Sequence, residues 1–153
     1  MCVVIPYGIT STLVRRPLNT AVMQGSAVTL QCSSNHSSSA IPWYNSTCVT
    51  TTQIISQCTD DRIYSGSSLD SAVSPRFSVT EENNFTLVTR DLNVSPVQLA
   101  DAGVYLCAEL RRGIVGIIDS SSAQLIVLGN QKTTLVNCFK NQLEKLRSNQ
   151  VDF

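Results

Sequence analysis

Hydrophobic and polar residues alternate in short runs along most of the chain, and clusters of serine, threonine, asparagine, glycine and proline separate the runs. Val28-Thr29-Leu30-Gln31-Cys32 and Val104-Tyr105-Leu106-Cys107 have the period of two that sends successive side chains to opposite faces of a strand. In the second run Tyr105 and Cys107 share one face, and Val104 and Leu106 share the other. Further strand candidates are Leu13-Val14 with Ala21-Val22-Met23, Ile41 with Trp43, Ile54-Ile55, Arg76-Phe77-Ser78-Val79, Leu92 with Val94, and Ala123 to Leu128. The first of these is split near Pro17, because proline has no N–H to give a central ladder. Gln24-Gly25-Ser26 reads as a turn, the polar run Ser33 to Ser39 as a loop, and Glu81-Glu82-Asn83-Asn84 as a hairpin tip. The pattern predicts an all-β domain over 13–129, preceded by an irregular lead-in over 1–12. In the tail, 130–153, the period changes: Leu135, Phe139, Leu143 and Leu146 are spaced by four, four and three, which predicts a short amphipathic helix.

Composition narrows the class. At 153 residues the chain suits one core with tails. Eleven basic and eleven acidic residues cancel, which removes the clustered positive charge that nucleic acid or an anionic membrane would need. Six cysteines, at Cys2, Cys32, Cys48, Cys58, Cys107 and Cys138, contain no C-x-x-C pair, so disulfides are favoured over zinc. Four sequons begin at Asn35, Asn45, Asn84 and Asn93, marking candidate glycosylation sites; with the cysteines they imply an extracellular chain, either a cell-surface ectodomain or a secreted protein. No apolar run reaches the ~20 residues of a membrane span. The segment Cys2 to Ile9 is too short, and lacks the basic front, for a secretory leader.

The run Asp101-Ala102-Gly103-Val104-Tyr105-Leu106-Cys107, with Cys32 upstream and the only tryptophan, Trp43, eleven residues after it, resembles an immunoglobulin variable-type (V-set) domain. That family is a two-sheet Greek-key sandwich. The resemblance implies a Cys32–Cys107 bridge, a Tyr105 corner bonded to backbone, and an Arg76–Asp101 ion pair. It also implies nine strands, with an edge strand and turn over Asp60 to Gly66, and places Ser33 to Ser39 and Glu109 to Asp119 at the first and third hypervariable loops. The joining motif F-G-x-G of rearranged receptors is replaced by Asp119-Ser120-Ser121-Ser122, which favours a germline-encoded domain. Tyr44 to Thr52 stands where the family has a proline- and glycine-containing hairpin. If that hairpin turns near Thr52-Gln53, Cys48 and Cys58 fall at equal distances on its arms and pair. Cys2 and Cys138 lie outside the sandwich and pair with each other or between chains.

An enzyme is not expected. His36 is the only histidine and sits in a serine-rich loop, so a conventional triad cannot be completed. The pairs Asp60-Asp61 and Glu81-Glu82 lack the spaced oxygens of a calcium loop and read as exposed tips. Neither a cofactor nor a metal is implied. Function therefore falls to surface. One candidate is the sheet face carrying Tyr44, Val104 and Leu106; the other is the apolar loop Ile114-Val115-Gly116-Ile117-Ile118, which either packs on its own sheet or meets a partner. Both suit recognition of a protein ligand or of a second copy, as in adhesion or immune-receptor binding. The alternative is a secreted immune effector binding microbial glycans, a site that would want exposed aromatics.

Overall fold

Where the first apolar run meets Pro17, it divides into two strands that join different sheets. β1 (Leu13–Arg15) pairs antiparallel with β4 (Ser33–Ser34). β2 (Thr20–Met23) instead runs parallel to the last strand, β11 (Asp119–Leu128), from Thr20 opposite Leu125 to Met23 opposite Leu128. Proline leaves no orphaned N–H at the break, so the chain changes layer there without losing a ladder bond. The structure, a computed structural model, describes residues 12–51, 54–129 and 140–147.

Two sheets result. In the first, β9 (Val88–Val94) is central, with β3 (Val28–Leu30) and β4 on one side and β8 (Phe77–Asn83) on the other. The second has the order β2-β11-β10-β6-β7, where β6 is Trp43–Thr51, β7 is Ile54–Tyr64 and β10 is Gly103–Arg111; β5 (Ser39–Ala40) joins the far end of β10. The inward faces form one core. Leu30, Leu92 and Val94 come from the first sheet, and Trp43, Tyr105 and Leu125 from the second. Cys32 and Cys107 bridge the layers with their Cα atoms 6.6 Å apart. Trp43 lies against the bridge region fully buried, its Nε1–H donating to the Arg90 carbonyl at 2.7 Å. This is the two-sheet sandwich that the alternation and the Cys–Trp–Cys spacing predict.

The corner before β10 is equally specified. A 3-10 turn, Leu99–Asp101, precedes the strand, and the Tyr105 hydroxyl reaches back to the Asp101 carbonyl. Arg76 grips the Asp101 carboxylate with both terminal nitrogens, Nη2 to Oδ1 at 2.8 Å, while Gln98 N–H donates to it at 2.7 Å. Burial pushes the Asp101 carboxyl up, but these bonds outweigh it and hold the group below its usual range.

Four expectations change. The segment from Asp60 is not a separate edge strand and turn: β7 continues to Tyr64, because Asp60, Asp61, Arg62 and Tyr64 pair with Ser46, Asn45, Tyr44 and Trp43, and because Ile63 and Tyr64 are drawn into the core. Among the described residues no further strand covers β7; only the single bridge Tyr64–Leu69 touches it. Glu81, Glu82 and Asn83 belong to β8, and the turn falls later, where the Asn84 side chain accepts bonds from Thr86 and Leu87 N–H. The Ser33 to Ser39 run holds two short strands and three buried serines instead of a solvated loop. Asp119 to Ser122 is strand, paired with Glu109 to Leu106.

In the tail, residues 140–147 form a helix exposed along its whole length, including Leu143 and Leu146. Leu135, Phe139, Cys2 and Cys138 lie outside the described residues, as does the hairpin turn at Thr52-Gln53.

Candidate recognition face

Register across the second sheet fixes what its outer face presents. Arg62, Tyr44, Leu106 and Ser122 stand in one cross-strand row, and Asp60, Ser46, Val104 and Gln124 in the next. Tyr105, Cys107 and Glu109 alternate with these and are buried, so Val104 and Leu106 point outward, while Ala108, in step with them, is itself covered. Tyr44, Val104 and Leu106 are half-buried, and the face they share is a slim apolar stripe between small polar residues of β11 and the charged β7. Leu110, half-buried and opposite Ala40, extends the stripe toward the loop end. Sequence reading placed Leu110 in a loop and missed it; continuing the alternation two residues past Ala108 would have found it.

The loop at that end is shaped by two glycines in the left-handed region, Gly113 at φ 83° and Gly116 at φ 90°. Ile114 N–H bonds to the Arg111 carbonyl and Ile118 N–H to the Glu109 carbonyl, closing the loop on the end of β10. Ile114 and Ile118 are half-buried, whereas Val115 is 102% and Ile117 55% exposed. The loop therefore turns two of its branched residues toward the domain and two into water.

Beneath it lies a group that composition gave no reason to single out. The Glu109 side chain is fully buried and surrounded by hydroxyls: Ser34 and Thr12 Oγ donate to it in short bonds, and Ser39 Oγ at 2.8 Å. Thr12 N–H adds a longer bond at 3.3 Å, and Arg111 Nη2 donates to Thr12 Oγ1 at 2.8 Å, one hydroxyl removed from the carboxylate. Burial pushes Glu109 up; the bonds from Ser34, Thr12 and Ser39 together outweigh it and set the group below the ordinary carboxylate value. The network ties the start of β1, the serine segment and β10 together under the loop.

The remaining candidates disperse. Cys48 and Cys58 stand directly opposite on β6 and β7, joined by a disulfide with Cα atoms 4.0 Å apart, beyond the point where β10 stops pairing with β6. Asn35 and Asn84 sit exposed in turns; Asn45 and Asn93 are half-buried on β6 and β9, and the Asn93 amide donates to Thr80 Oγ1 at 2.8 Å. His36 Nδ1 faces Ser38 Oγ at 2.8 Å. Asp61, Arg62, Asp70 and Phe77 line a cleft of about 500 Å³ between β7 and the segment leading to β8, with Arg62 and Asp70 ion-paired at 3.3 Å. Among the described residues no cluster of three metal-ligating side chains occurs, and no helix is long and apolar enough to cross a membrane.

A disulfide-bridged two-sheet sandwich, with its buried tryptophan and tyrosine corner, defines an immunoglobulin-type recognition domain. The immunoglobulin V-set domain model matches residues 15–128, and the chain belongs to that family. Domains of this class serve extracellular recognition or adhesion, and the intradomain disulfide fits such a setting. Among curated proteins, none matches the chain in sequence.

Proposed function

We propose that the domain binds a protein ligand, or the same domain on an opposing surface, through the stripe of Tyr44, Val104 and Leu106 together with Ile114, Val115, Ile117 and Ile118. It is a non-enzymatic module of a cell-surface or secreted immune-type glycoprotein, with Asn35, Asn45, Asn84 and Asn93 as glycan acceptors and no cofactor. The observation that carries this reading is the exposure of Val115 and Ile117 beside an already apolar stripe. Burying three or four such side chains at ~25 cal/mol per Å² gives several kcal/mol before association costs, enough for weak specific pairing. Multimerised domain applied to cells, and coated on beads for homophily, tests it. Ile117→Asp should abolish binding with an unchanged thermal melt; binding that survives the charge overturns the reading. A second reading, a microbial glycan ligand, draws on the cleft at Asp61, Arg62, Asp70 and Phe77, and competition by soluble glycans separates the two.

A further inference from the structure

Folding makes the four sequon asparagines unequal. The Asn93 amide nitrogen already donates to Thr80 Oγ1 at 2.8 Å and to the Asp91 carbonyl at 3.4 Å, while its oxygen accepts from Thr29 Oγ1. Asn45 stands opposite Tyr105 in the ladder with its side-chain oxygen turned to Gly103, where an added Cβ would come within 3.5 Å of it. Asn35 is exposed and held through its backbone N–H, which donates to the Thr12 carbonyl at 2.9 Å.

Asn84 is arranged differently, at the start of the tight turn from β8 to β9. Its backbone N–H donates to the Leu87 carbonyl at 2.9 Å. Its side-chain oxygen accepts from Thr86 N–H at 2.9 Å, Thr86 Oγ1 at 3.0 Å and Leu87 N–H at 2.7 Å. Two backbone donors converge on that atom, so it must be the oxygen, and the orientation of the amide is fixed. The nitrogen is then the end directed away from the turn, and every hydrogen bond of the side chain falls on the oxygen. A sugar joined to that nitrogen removes one N–H and leaves the oxygen an acceptor, so the turn keeps all its bonds. The next residue, Phe85, is 106% exposed, the highest value of any large apolar side chain among the described residues.

We propose that Asn84 carries an N-glycan whose first sugar lies over the Phe85 ring, making the glycan a packed part of the β8–β9 turn; this rests on reading the sequons as glycan acceptors. The oligosaccharide comes from a lipid-linked diphosphate donor: the Nδ2–C1 bond forms, the C1–O bond to the diphosphate breaks with its electron pair leaving on oxygen, and Nδ2 gives up one proton. One face of an acetamido pyranose is a set of C–H bonds, which suits the electron-rich face of a phenyl ring on the adjacent residue. The contact also takes the most exposed apolar group of the domain out of water. Position adds a consequence for recognition. Val88 pairs with Ser34, and Ser34 bonds to Glu109 beneath the apolar loop, so the glycan stands at the loop end on the side of the first sheet. It shields that side and directs a partner to the outer face of the second sheet.

Peptide mapping of the full chain from a secretory host tests the site, with enzymatic glycan release in heavy-oxygen water marking each occupied asparagine as aspartate. The expected result is near-complete occupancy of Asn84. Trimming the glycans to their first sugar isolates the contact: protons of the sugar on Asn84 should show an upfield ring-current shift that is lost in Phe85→Ser. The ring is solvent-exposed, so this variant keeps the fold. It should lower the melting temperature of the single-sugar form by a few degrees and leave that of a Thr86→Ala background, which takes no glycan at Asn84, unchanged. An unmodified Asn84 beside other occupied sequons overturns the proposal and leaves the acceptor reading standing, whereas four unmodified sequons remove both. Occupancy without the ring-current shift, or an equal effect of Phe85→Ser with and without the sugar, overturns the contact.

Discussion

The hydroxyl of Tyr105 donates to the backbone carbonyl of Asp101 at 2.6 Å, inside the core and across the corner that turns the chain into β10. Tyr105→Phe keeps the ring and removes only this bond, leaving a carbonyl unpaired. It should cost about 1–3 kcal/mol, read as a lower urea midpoint with an unchanged m value.

Alkaline stability follows from the same residue. Burial, with the Asp101 charge adding to it, pushes Tyr105 up to about 12, and burial with the Glu81 hydrogen bond pushes Tyr64 up to about 12. The unfolded chain ionises both near pH 10 and so holds fewer protons than the native state above that point. Stability should fall as pH rises from about 10 toward 12. Absorbance titration should show two of the four tyrosines ionising late or only on unfolding, and four phenolates formed near pH 10 in the native protein would contradict this.

The acid limb belongs to Glu109 and Asp101, both held below their ordinary values. Their contribution is complete above the unfolded carboxylate range and is lost as pH falls through the lower native values. Glu109→Ala strands the Ser34, Thr12 and Ser39 hydroxyls and should cost about 3 kcal/mol at neutral pH. The difference between wild type and Glu109→Ala should narrow as pH drops below about 4, measured by chemical denaturation at each pH.

The two disulfides should behave differently. Cys32–Cys107 closes a separation of 75 residues, and replacing it with an alanine pair should remove about 4 to 5 kcal/mol and unfold the domain at body temperature. Cys48–Cys58 closes only 10 and lies in the arm beyond the core. Its serine pair should leave the main thermal transition in place while amide exchange over 54–60 speeds about tenfold or more.

Leu110 supplies a check on the proposed face that sequence reading did not offer. It shares the outward side of β10 with Val104 and Leu106, at the loop end. Leu110→Asp should weaken ligand binding about tenfold or more, while Gln124→Asp, at the margin of the same face, should change it little. Equal effects of both would mean that charge alone, and not apolar contact, governs binding.

What the chain reveals in advance depends on whether a residue acts through alternation or through partners distant in sequence. Val28, Leu30, Trp43, Tyr105 and Cys107 declare their burial by period and spacing, and the core follows from them. Glu109 does not, because a carboxylate two residues past a core cysteine reads as solvated until Ser34 and Ser39, some seventy positions earlier, are seen to satisfy it. Ser33 to Ser39 is misleading for the same reason: serine is small enough to be buried wherever an acceptor waits. The length of β7 was hidden by Asp60 and Asp61, whose charges suggest a turn but which stand opposite Ser46 and Asn45 in the ladder.

The division of the first strand at Pro17 has a mechanical consequence. β2 lies parallel to β11, with four residue pairs from Thr20–Leu125 to Met23–Leu128, and the chain, having left β1, enters the second sheet through β2 and leaves it through β11. Tension between the two ends draws β2 and β11 past each other lengthwise, so these ladder bonds are loaded together in shear instead of opening singly like a zipper. While that seam holds, force bypasses the corner, the stripe and the arm. A domain held at both ends would keep its outer face in register under load, and would give up β1 from β4 and then β2 from β11 while Cys32–Cys107 still holds the two layers together.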